Sequence, residues 1–254
     1  MRIAVVTGAS SGIGRVFVKR LDEQETWDEI WVIARHKEAL ESLQSEVRAR
    51  IRVLALDLMK EESFEAYAAA LKESGATVGV LVNAGGYGKF EAFTDIPLTE
   101  QMGMIDLNAK ALMAVTYHTL PYMEAGAEIF EIGSLSAFQP VPYIGVYGAT
   151  KAFVLSFSRA LNAELRSRKI RVMAVCPGWV RTAFFDRAVI DDDVIVYYNK
   201  FFTPEQVVDR AFRDMRRGKD VSVCGFSIRA QVLLTKLLPH RLVMWIWLKQ
   251  QKKI

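Results

Sequence analysis

Tyr147 and Lys151 stand four residues apart in the run Tyr147-Gly148-Ala149-Thr150-Lys151. On a helix that spacing puts the phenol and the ammonium on one face. A phenol has a reference pKa near 10, so acid/base work near neutrality asks for a shift of about two to three units. A lysine cation one turn away favours the phenolate and is expected to push that pKa down. Alone, the pair is a common surface pattern. Thirteen residues upstream, Ser134 closes an apolar run in Ile132-Gly133-Ser134-Leu135-Ser136. A strand-end hydroxyl and a helix-borne phenol can converge on one carbonyl oxygen, the serine donating a hydrogen bond and the tyrosine transferring the proton. Asn108 falls in a helical stretch, where its amide either holds a water or is an ordinary exposed asparagine.

Residues 7–14 read Thr7-Gly8-Ala9-Ser10-Ser11-Gly12-Ile13-Gly14, where the first expected strand gives way to the first expected helix. Glycines there allow a tight turn and close approach of the backbone to a pyrophosphate, and the helix N-terminus offers free N–H groups. The alternative is a strand–helix turn that merely uses glycine. The second expected strand ends Ala34-Arg35-His36, where sites preferring NAD place a carboxylate. The Arg35 guanidinium can instead fork onto a 2′-phosphate, which makes NADP(H) the expected cofactor and NAD(H) the second choice; otherwise Arg35 is a solvated strand-end arginine. Asp57 could accept from an adenine amino group or cap the segment after Leu58. Asn83-Ala84-Gly85-Gly86 follows the fourth expected strand, and Pro177-Gly178-Trp179-Val180-Arg181-Thr182 follows the sixth. The latter could frame a carboxamide through backbone groups and the Thr182 hydroxyl.

Apolar β-branched runs at 3–6, 29–34, 51–56, 78–83, 128–133, 170–175 and 220–224 alternate with helical patterns near 12–24, 37–49, 61–73, 98–124, 145–168 and 204–217. Runs this continuous predict a parallel sheet covered by helices on both faces, with ligands at the strand ends. No repeat or linker divides the chain, so 1–254 reads as one domain with a substrate loop at 179–203 and an apolar, basic tail at 226–254.

Composition excludes several classes. With 51% apolar and 24% charged residues the chain is neither disordered nor low-complexity. Cys176 and Cys224 could form at most one bridge and lack metal-ligand spacing, which suits a reducing, cytoplasmic setting. Net charge of +4 is too small to indicate nucleic acid. A first strand starting at Ile3 is expected to leave no room for a cleaved leader. The apolar stretch from Val232 to Leu248 is interrupted by Lys236, Pro239, His240 and Arg241 and is shorter than the roughly 20 residues of a membrane span.

In order along roughly residues 1–225, Thr7-Gly8-x3-Gly12-x-Gly14, Asp57, Asn83-Ala84-Gly85, Asn108, Ser134, Tyr147-x3-Lys151 and Pro177-Gly178 resemble the single-domain short-chain dehydrogenase/reductase family. The resemblance implies a Rossmann-like, doubly wound α/β fold with a seven-stranded parallel sheet of order 3-2-1-4-5-6-7. It also implies hydride transfer between a nicotinamide and a carbonyl or secondary alcohol. By resemblance the catalytic set is Asn108, Ser134, Tyr147 and Lys151. Tyr147 would be the acid/base and Ser134 would orient the substrate. Lys151 would hold the nicotinamide ribose and lower the tyrosine pKa, and Asn108 would hold a relay water. The implied cofactor-binding set is Gly8, Ser10, Ser11, Gly12, Ile13, Gly14, Arg35, Asp57, Leu58, Asn83, Ala84, Gly85, Tyr147, Lys151, Pro177, Gly178, Val180 and Thr182, with no metal and a homodimer or homotetramer as the assembly. Val82 and Gly133 depart from the family pattern at positions that carry no chemistry.

Phe184, Phe185, Tyr197, Tyr198, Phe201 and Phe202 crowd the expected substrate loop, and Tyr87, Phe90, Phe138 and Tyr143 would extend the same wall. That points to an apolar ketone of lipid, steroid or aromatic type. The triplet Asp191-Asp192-Asp193 tells against a carboxylate near the loop. Two other classes share such a fold. Nucleotide-sugar epimerases and dehydratases resemble longer chains with a Gly-x-x-Gly-x-x-Gly loop, whereas non-catalytic dinucleotide sensors usually carry a damaged tetrad. Residues 200–254 hold 12 Lys+Arg against 4 Asp+Glu, so the tail reads either as a helix buried between subunits or as a contact with an anionic membrane.

Overall fold

The computed structural model describes residues 1–188 and 194–254. Side chains alternate across each strand, and here that alternation divides the apolar residues between two cores. In β1 (Arg2–Thr7), Ala4 and Val6 join one core while Ile3 and Val5 join the other. The same division holds for Val82 and Leu81 in β4 (Thr77–Asn83) and for Phe130 and Ile129 in β5 (Met123–Ile132). Because both faces are covered, neither set of side chains needs to be polar.

The other strands of the sheet are β2 (Glu29–Ala34), β3 (Arg50–Ala55), β6 (Arg171–Val175) and β7 (Val221–Ser222). Their spatial order is β3-β2-β1-β4-β5-β6-β7, and each pairing is parallel, as expected. The order reverses between β1 and β4, which leaves a crevice at their carboxyl ends. A short parallel pair, Trp179–Val180 with Phe201–Phe202, stands outside this sheet and closes the base of the expected substrate loop.

The helices are α1 (Gly12–Gln24), α2 (Lys37–Glu41), α3 (Glu61–Ser74), α4 (Leu98–Ile105), α5 (Leu112–Thr119), α6 (Gly145–Glu164), α7 (Phe184–Ala188), α8 (Pro204–Arg216), α9 (Phe226–Leu237) and α10 (His240–Gln250). The core that holds Val6 also takes in Phe17, Phe212 and Val232 from α1, α8 and α9. Tyr67, Val115 and Leu161 from α3, α5 and α6 fill the other. A capping box between Thr203 and Gln206, with Pro204 in the first turn, starts α8.

Two expected helices differ. The helix expected near 98–124 divides into α4, a π-helical segment Asp106–Ala111 and α5, and strand β5 already begins at Met123. An i→i+5 turn changes the face on which following residues lie, and Asn108 in that segment is completely buried. The helix expected near 37–49 shortens to α2 followed by a 3-10 turn, Ser42–Ser45. The tail after 225 forms two helices, α9 and α10.

Phe130 is completely buried, with ring centroids 5.2 Å from Phe17 and 5.1 Å from Phe212. It thereby ties β5 to two helices. Phe130→Ala is expected to lower unfolding free energy by about 3–5 kcal/mol, the usual cost of truncating a buried aromatic ring. A urea melt with an unchanged midpoint would remove this three-ring cluster from the stabilising core.

Candidate active site

Backbone geometry at the end of β1 opens the cleft. Gly8 has φ +64°, its N–H donates to the Ile33 carbonyl at 2.8 Å, and a Cβ there would lie 2.7 Å from the Ala84 carbonyl. No other residue type fits both the left-handed backbone and the close crossing. The Thr7 hydroxyl accepts from Gly85 N–H at 3.1 Å and so ties the turns after β1 and β4 together. At the start of α1, Ser11 makes no side-chain cap and the first turn holds no acidic residue. The positive end of the helix and its unclaimed N–H groups therefore remain available to an anion.

This end of the sheet opens into a cleft of about 580 Å³. Its walls include Gly8, Ser10, Ser11, Gly12, Ile13, Gly14, Arg35, Asp57, Leu58, Ala84 and Gly85, and on the other side Ser134, Tyr147, Lys151, Pro177, Gly178, Val180 and Thr182. An elongated dinucleotide fits this donor set. The bare helix end and glycine turn suit a pyrophosphate, and the exposed Arg35 side chain forms no ion pair among the described residues. Asp57 accepts from Met59 N–H at 3.2 Å in the turn before α3 and caps no helix, since the N-cap position of α3 is Lys60; its side chain borders the cleft.

Two expected site residues are placed elsewhere. Asn83 is not part of the cleft wall; its amide donates to the Thr116 hydroxyl at 2.9 Å and to Glu131 at 3.3 Å beneath the sheet end. Asn108 is also off the wall. Its Oδ1 accepts from Tyr87 N–H at 3.0 Å, and its Nδ2 donates to the Tyr87 carbonyl at 2.8 Å and to the Thr150 hydroxyl at 3.1 Å. The Asn108 amide thus fastens the loop after β4 to α6, and both its oxygen and its nitrogen have protein partners. Gly86 lets this happen, since a Cβ there would lie 2.9 Å from Asn108 Oδ1 and 3.4 Å from Lys151 Nζ.

Tyr147, Lys151 and Ser134 do converge. Lys151 is only 4% exposed; its ammonium donates to the Ile132 carbonyl at 2.7 Å and lies 5.7 Å from the centre of the Tyr147 ring. Burial pulls Lys151 down to about 8, opposed by Cys176 and Glu131. Burial pushes Tyr147 up to about 12, opposed by its hydrogen bond with Ser134. The direction is opposite to the one expected from the lysine alone, because loss of the water that would solvate a phenolate is the largest cause.

Glu131 escaped the sequence reading, although a carboxylate inside Ile129-Phe130-Glu131-Ile132 was a visible signal. It is completely buried on β5, accepts from Thr116 at 2.9 Å, and is pushed up to about 8 by burial, opposed by Thr116, Asn83 and Lys151. Its Oε2 and the Asn83 Oδ1 both lack a partner. A proton on the carboxyl gives that cluster the donor it is short of.

The outer part of the cleft is aromatic. Phe90 lies 5.7 Å from Tyr147, 6.2 Å from Trp179 and 6.0 Å from Phe184, centroid to centroid. Tyr87, Phe185 and Tyr197 also line it, whereas Phe138, Tyr143, Tyr198, Phe201 and Phe202 do not. Trp247 and Gln250 of α10 complete the wall, and neither was expected from sequence. Trp247 Nε1 donates to the Pro142 carbonyl at 3.1 Å, while Gln251 Oε1 accepts from Val196 and Tyr197 N–H at 2.9 and 3.0 Å. The triplet Asp191-Asp192-Asp193 lies outside the described residues.

Comparison with known proteins agrees with this geometry. A family model described as short chain dehydrogenase matches residues 2–192. The chain is 36% identical over 188 residues to sulfoacetaldehyde reductase 2 of Chromohalobacter salexigens, covering 72% of this chain and 74% of that one. It is 30% identical over 258 residues to the human very-long-chain 3-oxoacyl-CoA reductase, covering 97% and 77%. Among solved structures, a short-chain dehydrogenase from Sphingobium yanoikuyae in complex with NADPH superposes with a TM-score of 0.79 at 28% identity, covering 92% of each chain.

The raised carboxyl of Glu131 predicts a pH signature. Folding raises its pKa from the usual carboxylate range to about 8, so the stability it contributes is full below about pH 4.5 and is lost as pH rises through 8. Lys151, lowered by burial, changes stability in the opposite sense and only above about 8. Thermal melts of the protein without cofactor are expected to fall between pH 5.5 and 8, and Glu131→Gln to flatten that fall. Parallel curves for the two proteins would show that Glu131 is already ionised at pH 5.5.

Proposed function

This chain belongs to the short-chain dehydrogenase/reductase family and is an NAD(P)-dependent oxidoreductase acting on CH–OH donors, and we propose that it reduces an apolar ketone with NADPH. The observation that carries the reading is the meeting of Ser134, Tyr147 and Lys151 at one end of a cleft whose other walls are a bare helix terminus and a cluster of aromatic rings.

When bound, the dinucleotide supplies a hydride to the carbonyl carbon or takes one from the alcohol carbon. Ser134 donates a hydrogen bond to the carbonyl oxygen and fixes its direction. Tyr147, with its pKa near 12 in this pocket, is fully protonated at neutral pH, which suits it to give a proton to that oxygen in the reductive direction. Lys151, near 8, is the neighbour able to return a proton and to stabilise the phenolate left behind. Asn108 acts through position, holding Tyr87 and Thr150 so that Lys151 keeps its place. Arg35, exposed at the end of β2, supplies the fork for a 2′-phosphate, and the N-terminus of α1 takes the pyrophosphate. Backbone groups at Pro177, Gly178 and Val180, with the Thr182 hydroxyl, border the cleft and would hold a carboxamide.

The substrate reading rests on Phe90, Trp179, Phe184, Phe185 and Trp247 around the outer cleft, where apolar surface contributes affinity and water is excluded. The long acyl chain in the name of the human relative points the same way; the small sulfonated aldehyde of the bacterial one does not. Exposed Met113, Tyr117 and Phe153 on α5 and α6 offer an apolar face for a homodimer or homotetramer. Cys176 and Cys224, both free thiols, suit a reducing cytoplasm.

Tyr147→Phe is expected to lower kcat by at least about 10²-fold while NADPH binding, read by fluorescence titration, barely changes. Near-wild-type turnover would take Tyr147 out of the acid role. Wild-type kcat/KM is expected to favour NADPH over NADH. Charge-assisted hydrogen bonds contribute about 1.5–3 kcal/mol, so Arg35→Asp should cost NADPH about ten- to hundredfold and leave NADH little affected. Equal losses for both cofactors would overturn the NADP(H) assignment. A carbonyl panel in which small polar aldehydes outperform apolar ketones would overturn the substrate class.

A further inference from the structure

The last two helices each have an outer face that neither the core nor the cleft uses. On α9, Phe226, Leu233, Leu234 and Leu237 are 81%, 61%, 55% and 72% exposed. With Ala230 they follow the i, i+4, i+7, i+8, i+11 spacing of a single helix face. Ile228, Val232 and Thr235 are buried on the opposite side. α10 repeats the division, with Leu242, Trp245 and Ile246 outward and Val243 inward. Leu238 and Pro239 alone connect the two helices.

Charge identifies the occupant. Residues 221–254 contain six Lys+Arg and no Asp or Glu. In a two-fold interface a face meets its own copy, so self-association here would press two cationic patches together without a carboxylate from this segment between them. A surface rich in phosphate removes that conflict. Leucines and a tryptophan set among Arg229, Lys236, Arg241 and Lys249 are what the boundary between lipid headgroups and acyl chains accommodates. Lys249 Nζ lies 5.1 Å from the Trp245 ring, which places a cation beside the aromatic side chain suited to headgroup depth. No helix among the described residues is long and apolar enough to cross a membrane, so the contact is with one leaflet.

The same helices wall the cleft through Gln231, Trp247 and Gln250, and Gln251 fastens α10 to Val196 and Tyr197. We propose that α9 and α10 dock the protein on an anionic lipid bilayer, so that an apolar carbonyl compound passes from the leaflet into a cleft bordered by the docked helices. The second half of this statement rests on the apolar-ketone reading; the docking does not.

Flotation of the full-length protein with phosphatidylcholine vesicles, with and without about one-third phosphatidylserine, measures the docking directly. Wild type should float with the anionic vesicles, less so at high salt, and hardly with the neutral ones. One variant pair, Leu234→Asp with Leu237→Asp, removes apolar contact; a second, Lys236→Glu with Arg241→Glu, reverses charge. At about fivefold per lost cation, the charge pair should weaken partitioning by roughly 30-fold or more. Both pairs should keep wild-type turnover of a water-soluble ketone, because none of the four residues lines the cleft. Wild type remaining unbound, or either pair floating like wild type, overturns the docking. A change of oligomeric mass in the variants by sedimentation velocity, without loss of flotation, assigns the face to a subunit contact and overturns it equally. Protein that docks but turns over no apolar ketone overturns the substrate reading and leaves the docking standing.

Discussion

An ammonium group held almost entirely out of water sets the terms for the reacting end of this sheet. Burying an isolated cation is costly, and the structure offsets that cost with several partial compensations rather than one full ion pair. Lys151 donates to the Ile132 carbonyl, faces the Tyr147 ring and feels the Glu131 carboxyl from the neighbouring strand. Each of those groups lies at or near the carboxyl end of β5 or on α6. The fold must therefore keep that strand end and that helix in fixed register for the lysine to remain charged at all. The same dryness raises Tyr147 and Glu131. Three titratable groups are thus displaced by one cause, and the tyrosine is left protonated at rest.

Glycine serves this arrangement by removing side chains where backbones must cross. Gly8 lets the first turn lie against Ala84, and Gly86 lets Asn108 and Lys151 approach from two helices. The helix start that Gly8 and Ser11 create is left without a side-chain cap, which would be a weakness in an isolated helix. Facing a cleft, it becomes an anion site. Local stability is given up at the point where a ligand's phosphates can restore it.

The substrate side is built differently, from segments distant in sequence that clasp one another. Gln251 holds the backbone of Val196 and Tyr197, and Trp247 holds Pro142. The tail is thus part of the cleft, so its outer face and the cleft cannot be considered separately. The basic, acid-free outer face of α9 and α10 therefore belongs to the same two helices that wall the cleft.

The sequence by itself determined the parallel sheet and the pattern that singles out Ser134, Tyr147 and Lys151, because each depends on short-range spacing, whereas the strand order followed only from the family resemblance. Apolar runs of strand length, a glycine turn followed by a helix, and an i, i+4 pair are all local statements. The tertiary structure decided what depends on burial and on distant partners. Asn108 and Asn83 carry motif positions, yet their amides are taken up by Tyr87, Thr150, Thr116 and Glu131, from elements no local pattern links to them. Glu131 was written in the chain, but its charge state follows from complete enclosure. The tyrosine's shift ran opposite to the sequence expectation because spacing reveals a neighbouring cation and not the water excluded around it. Trp247 entered the cleft wall only when the tail folded back, a contact across 105 residues.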